Sequence, residues 1–278
     1  QYGPTASFYD RRDKFSFVSE GTATDVGDLT RAAGESPGGH SSDTHGYTSG
    51  GYITAGDSNV IDRFSFSVDG NATDVGDMSS ARQNPSGTSS TTHGYTSGAY
   101  LSGTYTNIID KFQFTSSANA SNIADLTVGR NGGAGISSTT HGYCSGGNGP
   151  ITNVIDKFTF ASDADATDVG DLINNSYGPA GQSSTTHGFA SGGFAPGYLN
   201  SIVKFTFASN ANATDHADIT VARHISSAQS STTKGYMSGG STGPLHNTID
   251  KFSFASNENG TDVGDLTALK FGLAGSQV

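Results

Sequence analysis

The chain has 278 residues, of which only 14% are charged, and a formal net charge of −11. With no basic run, that balance excludes a phosphate-backbone binder; no apolar stretch approaches the ~20 residues of a membrane helix, and a single cysteine, Cys144, excludes an internal disulfide framework. The 39 Gly would suit a disordered tract, but the 16 Phe and 11 Tyr recur at fixed places, which disordered segments do not arrange.

Taken in chain order, Gln1-Tyr2-Gly3 reads as the end of a strand. Asp13-Lys14-Phe15-Ser16-Phe17 then alternates as a strand does. The motif Asp-(Lys/Arg)-Phe returns at Asp62-Arg63-Phe64, Asp110-Lys111-Phe112, Asp156-Lys157-Phe158 and Asp250-Lys251-Phe252, with a variant at Val203-Lys204-Phe205. Counted on the basic residue, the steps are 49, 48, 46, 47 and 47 residues. A period of this length fixes the architecture before any motif is interpreted.

One repeat shows the elements. Ser183-Ser184-Thr185-Thr186 is a short run of small β-compatible residues, expected as a first strand. His187-Gly188 has the form of a two-residue hairpin loop, with Gly second. Phe189 to Gly193 is the second strand, followed by a variable loop from Phe194 to Asn200. Ile202 to Phe207 is the third strand, with Phe205 and Phe207 on one face. Ser209 to Asn212 is a turn, and Ala213 to Ile219 a fourth strand. Four short strands in about 47 residues, without a helical pattern, predict an all-β chain: a six-bladed β-propeller of four-stranded blades. Residues 1–278 are expected to form one domain.

The F-x-F pairs hold 12 of the 16 Phe and are expected between neighbouring blades. The Ser/Thr/Gly-rich first strand is expected at the axis, where large side chains would not fit. The hairpin recurs at His45, His93, His141, His187 and Lys234, and a sixth copy is missing. Ala274-Gly275-Ser276-Gln277-Val278 aligns with a first strand. The ring is therefore expected to close with N- and C-terminal strands sharing one blade, which removes open edges.

This order of elements resembles the kelch repeat. The doublets Gly50-Gly51, Gly146-Gly147, Gly192-Gly193 and Gly239-Gly240 match that family's second-strand ending. Leu126-Thr127-Val128-Gly129-Arg130 and Ile219-Thr220-Val221-Ala222-Arg223 match its fourth-strand tail. No Trp stands where the family usually has one; Val26, Val75, Val169 and Val263 lie near that place. The Thr-His-Gly-Tyr and Asp-Lys-Phe repeats are also similar to those of repeat proteins predicted in marine bacteriophages.

The repeated polar residues have a structural explanation. Four His at one repeat position, with Lys234 at the fifth, fit a hairpin role better than a metal site. The pairs Asp25/Asp28, Asp74/Asp77, Asp168/Asp171, Asp215/Asp218 and Asp262/Asp265 suggest calcium or paired-carboxylate chemistry. Catalysis, however, needs one asymmetric constellation, so recurrence favours structural hydrogen bonding. Sequons begin at Asn71, Asn119, Asn174, Asn212 and Asn259, four of them in the same turn, and read as repeat-borne turn sequences. No catalytic residue, metal site or cofactor is expected.

The segments that escape the repeat are the candidates for function. The loops after the Gly doublets carry Tyr52, Tyr100, Tyr105, Phe194 and Tyr198, and the fourth-to-first loops bring Arg82, Arg130 and Arg223. Both loop sets open on one propeller face, and loops on a rigid scaffold are where recognition usually lives. Aromatic rings beside Arg suit a glycan or a protein epitope. The expectation is a non-enzymatic recognition or structural module, virion-associated or extracellular. Its partner is a glycan or protein on a cell surface or virion, without nucleic-acid binding or membrane insertion. The alternatives are a multivalent lectin with one weak site per blade and a glycan-active enzyme using the same face.

Overall fold

A computed structural model describes residues 8–277. The described residues contain strands and turns and no helix. Strands β1 (Tyr9–Lys14) and β2 (Thr24–Glu35) come first. The first complete blade follows: β3 (Gly38–Ser41), β4 (His45–Ser49), a small hairpin of β5 (Tyr52–Ile53) and β6 (Gly56–Asp57), then β7 (Val60–Ser65) and β8 (Thr73–Asp77). This blade has the order β3-β4-β7-β8. Blades 2 to 5 repeat it, with first strands at Ser86–Ser89, Ala134–Ser137, Ala180–Ser183 and Ser227–Ser230. All pairings are antiparallel, and the chain is a six-bladed β-propeller.

The first strands line a central channel of about 530 Å³. Their small residues are a steric necessity. A Cβ at Gly39, Gly87, Gly135 or Gly181 would lie 2.0–2.3 Å from a carbonyl oxygen of the neighbouring blade's first strand. A ring of serine hydroxyls runs beside them. The Ser41 amide donates to Ser89 Oγ, Ser89 to Ser137, Ser137 to Ser183 and Ser183 to Ser230, each at 2.9–3.0 Å.

The C-terminus completes this circle. Gly39 faces the Gly275 carbonyl, the Gln277 amide donates to Ser41 Oγ at 3.0 Å, and Ser276 Oγ donates to the His40 carbonyl at 2.9 Å. Residues 274–277 therefore occupy the first-strand place of blade 6, whose third and fourth strands are β1 and β2. The sheet of blade 6 reaches four strands differently from the others, in the order β1-β2-β5-β6: the long β2 pairs outward with the β5–β6 hairpin of blade 1. The segment Gln1-Tyr2-Gly3, expected to end a second strand, lies outside the described residues.

Aromatic residues join the blades. Each second-strand Tyr or Phe stacks on the F-x-F pair of the next blade: Tyr47 on Phe114 (4.7 Å), Tyr95 on Phe160 (4.7 Å), Tyr143 on Phe207 (5.1 Å), Phe189 on Phe254 (4.7 Å) and Tyr236 on Phe17 (4.6 Å). Five of the six F-x-F pairs thus lie between neighbouring blades; at the sixth, the Arg12 guanidinium of blade 6 lies over the Phe64 ring of blade 1 at 4.3 Å.

The hairpin differs from its expected position. The first strand of blade 4 is Ala180–Ser183, and His187 already belongs to the second, His187–Ser191. The turn is Ser184-Thr185-Thr186. There the Ser184 amide donates to the His187 carbonyl and Ser184 Oγ accepts from the His187 amide, both at 2.9 Å. Such a hydroxyl-closed turn competes well with a glycine turn. Gly188 is needed for another reason: a Cβ there would sit 2.5 Å from the Phe205 ring.

Candidate functional site

The three arginines assigned to the loop face are withdrawn from it. Arg82, Arg130 and Arg223 are at most 1% exposed, and each pairs with the repeated Asp of the next blade: Asp110, Asp156 and Asp250. In blade 5, Asp250 accepts from Arg223 Nη1 (2.9 Å), from the Thr220 amide (3.1 Å) and from Thr220 Oγ1 (2.7 Å). Arg223 also donates to the carbonyls of Gly239 (2.8 Å) and Met237 (3.2 Å). The same Asp–hydroxyl–cation unit recurs at Asp62 with Thr30 and Arg31, and at Asp13 with Thr267 and Lys270, where it ties the two chain ends together. The arginine tail is thus an interblade clasp, which corrects the expectation of fork-shaped donors on the surface.

The aromatic residues remain, and they form three separate clusters. Tyr52 in β5 lies 6.2 Å from Phe8, where blade 6 meets blade 1. Tyr100 and Tyr105 face each other edge to face at 5.4 Å across the hairpin of His93–Leu101 and Thr104–Gln113. Tyr105 is 36% exposed, and its hydroxyl accepts from Asn148 Nδ2 of blade 3 at 3.1 Å.

Phe194 and Tyr198 pack at 5.4 Å across the two-residue strands Phe194–Ala195 and Gly197–Tyr198. This third cluster includes two residues that sequence reasoning did not assign. His224 lies 5.3 Å from Tyr198 and 5.9 Å from Phe194, and Tyr177 lies 6.0 Å from His224. His224 Nδ1 bonds the Ser241 carbonyl at 3.0 Å, which requires the proton on Nδ1. Burial, partly countered by that bond, lowers its pKa and so favours the neutral ring. Tyr198 is 38% exposed, so the cluster offers an aromatic edge above a buried imidazole.

A signal for both residues existed in the repeat register. Isolated bridges link Gln83 to Tyr100, Asn131 to Asn148, Tyr177 to Phe194 and His224 to Ser241. Each pair joins the loop entering a blade to the segment after its Gly doublet or, in blade 2, after Gly98-Ala99. Tyr177 and His224 are the aromatic members of that first position.

The opposite face is built from repeated residues. His45, His93, His141 and His187 each have Nδ1 2.7–2.8 Å from the preceding Thr hydroxyl. Burial lowers all four pKa values, with nearby Arg63, Lys111, Lys157 and Lys204 adding to the effect. The sequon residues Asn71, Asn119, Asn212 and Asn259 accept through Oδ1 from the amides of Asp28, Asp77, Asp171 and Asp218 in the preceding blade. Asp25, Asp74, Asp168 and Asp262 each accept from the glycine amide two residues on, at 3.1 Å. Cys144 is a buried strand residue.

No protein-family model matches the chain, and no curated protein matches it either.

Proposed function

We propose that this propeller is a non-enzymatic recognition or structural module, on a virion or outside a cell, that binds a glycan or a protein through its loop face. One observation carries the reading. The frame consumes its own repeated polar groups in interblade bonds, whereas the aromatics of the variable loops cluster with partly exposed edges. Tyr105 beside Asn148, and Tyr198 beside His224, combine a flat apolar surface with polar neighbours, the combination that suits a sugar ring or a protein epitope. The three clusters differ in composition, which favours one or two unequal sites over a lectin with equal sites in every blade. The Gly doublets support the kelch-like character: in all four, both residues have positive φ, a conformation that other residues adopt only with strain.

The test is a glycan array with the parent chain, followed by Tyr105→Ala, Tyr198→Ala, His93→Ala and His141→Ala. Binding is expected to fall with the tyrosine changes and to survive the histidine changes. The reverse pattern would place recognition on the opposite face. A chain that binds no glycan and copurifies with particles, unaffected by any loop change, would leave only the structural role.

A further inference from the structure

The loops of blades 2 and 4 repeat one arrangement. In each, an aromatic pair sits across a hairpin: Tyr100 and Tyr105 at 5.4 Å in blade 2, Phe194 and Tyr198 at 5.4 Å in blade 4. Beside each pair stands the residue that enters the next blade after the clasp arginine, Asn131 after Arg130 and His224 after Arg223. His224 lies directly against Phe194 and Tyr198. Asn131 is bridged to Asn148, whose side-chain amide donates to the Tyr105 hydroxyl at 3.1 Å.

Both entering residues bury an acceptor that no described residue satisfies. Asn131 is 8% exposed, and its Oδ1 has no hydrogen-bond partner among the described residues. His224 is 7% exposed, and its Nδ1 gives its proton to the Ser241 carbonyl. In the neutral ring, which burial favours, Nε2 then carries a lone pair, and it too has no partner among the described residues. A buried acceptor without a donor is costly, so each atom marks a place where a donor from outside the chain is favoured. The surroundings carry no charge. Residues 98–106, 146–153, 192–201 and 239–247, which form both hairpins and the loops facing them, contain no Asp, Glu, Lys or Arg. The adjacent Arg130 and Arg223 are committed to Asp156 and Asp250.

We propose that these two places are subsites for an uncharged glycan. Each stacks one hexopyranose ring on its exposed tyrosine, Tyr105 or Tyr198, and accepts one sugar hydroxyl at Asn131 Oδ1 or His224 Nε2. The carbon face of a sugar fits a partly exposed aromatic ring, and a hydroxyl supplies the missing donor. A sialic acid, uronate or sulfate would bring negative charge to segments without a cation, in a chain of net charge −11. Three rings, Tyr177, Phe194 and Tyr198, lie within 6.0 Å of His224, so the blade 4 subsite is the tighter of the two. The inference rests on the loop-face reading above and narrows its ligand from a glycan or protein to a neutral glycan.

The probe is a glycan array holding uncharged oligosaccharides of glucose, galactose, mannose and N-acetylhexosamines beside their sialylated, sulfated and uronate-containing forms, read with the 278-residue chain. Uncharged members should bind, and added charge should not improve them. The Kd of the best uncharged binder should change less than about twofold between about 0.05 and 0.5 M salt, since no ion pair is screened. His224→Phe keeps a ring but loses the acceptor, and should weaken that binder about three- to tenfold. His224→Gln, which retains an acceptor, should lose less, and Asn131→Leu should act in the same direction as His224→Phe. In the parent chain the Nε2 nitrogen resonance of His224 should shift when the sugar is added, a readout that no variant's folding affects. Preference for charged glycans, steep salt dependence, or no bound glycan would overturn the inference, as would binding untouched by both acceptor variants with no shift at Nε2. Tyr105→Ala and Tyr198→Ala separate this inference from the reading beneath it. If they abolish binding to a charged glycan or a protein, the loop face stands and the neutral subsites fail; if they change no binding at all, both fail.

Discussion

Replacing Asp250 with Val should destabilise the propeller far more than the loss of three hydrogen bonds suggests. The Asp250 carboxylate is fully buried and accepts from Arg223 Nη1, the Thr220 amide and Thr220 Oγ1. Removing it strands a guanidinium of zero exposure in a low-dielectric interface. Breaking a buried pair this way costs about 3–5 kcal/mol. At roughly 2.1 cal/mol/K of unfolding entropy per residue, a chain of 278 residues would lose about 5–9 °C in Tm. Blade 4 shows how the loss is absorbed. There Val203 replaces the Asp, Ile173 the Thr and Ser176 the Arg, and Val203 packs in the same apolar cluster as Leu172. Ser176 Oγ reaches the Gly192 carbonyl at 3.5 Å, where Arg223 Nε reaches Gly239 in blade 5. The triple variant Asp250→Val, Thr220→Ile, Arg223→Ser should therefore recover to within about 1–2 kcal/mol of the parent, since a buried ion pair and its apolar replacement are often near equal. Urea denaturation followed by near-ultraviolet circular dichroism measures both, provided the m-value is unchanged. A single variant that costs less than about 1 kcal/mol, or a triple variant no better than the single, would refute the argument.

Phe158→Ala should cost about 3–5 kcal/mol as a large-to-small core change, because Phe158 and Phe160 pack on Tyr95 at 5.6 and 4.7 Å. Tyr198→Ala, at a 38% exposed edge, should cost far less, and equal Tm shifts would contradict the interblade assignment. His40 is fully buried, with Nδ1 3.0 Å from the Thr88 carbonyl and Nε2 2.8 Å from Ser49 Oγ, and burial lowers its pKa to about 4. The unfolded chain binds this proton below about pH 6.5 and the folded chain only near pH 4, so stability falls as pH drops through that window, by up to about 3 kcal/mol. His40→Gln, which copies Gln182 and Gln229 at the same repeat position, should flatten this acid limb; identical losses in parent and variant between pH 7 and 4.5 would rule His40 out as its source. Loss of glycan or protein binding on Tyr105→Ala or Tyr198→Ala, with Tm held, would separate recognition from folding.

The fold was legible because its determinants are periodic. The Asp-(Lys/Arg)-Phe motif marks the third strand of five blades and its variant Val203-Lys204-Phe205 that of blade 4, and Gly275 aligns with the axial glycines despite lying far away in sequence. The glycine alignment follows from a steric rule, that neighbouring first strands leave no room for a Cβ at Gly39, Gly87 or Gly135. The hairpin was displaced because Gly after His looks like turn chemistry; the Phe205 ring that requires Gly188 comes from another strand and leaves no local trace.

The arginines failed for a more instructive reason. Arg130 and Arg223 lie in loops, beside residues that vary, and a loop Arg is usually solvated. What distinguishes them is a covariation within the chain: where Asp becomes Val203, the Arg becomes Ser176 and the Thr becomes Ile173. Three substitutions at one blade junction, separated by about thirty residues yet all removing the polar members of one unit, mark residues that belong to the same contact. A recognition residue carries no such constraint, since its partner is outside the chain. Tyr105, Tyr198 and His224 lie outside this unit, and their contacts are with other residues of the variable loops. That separation from the clasp, more than their position in loops, distinguishes the candidate binding residues from the residues that hold the ring together.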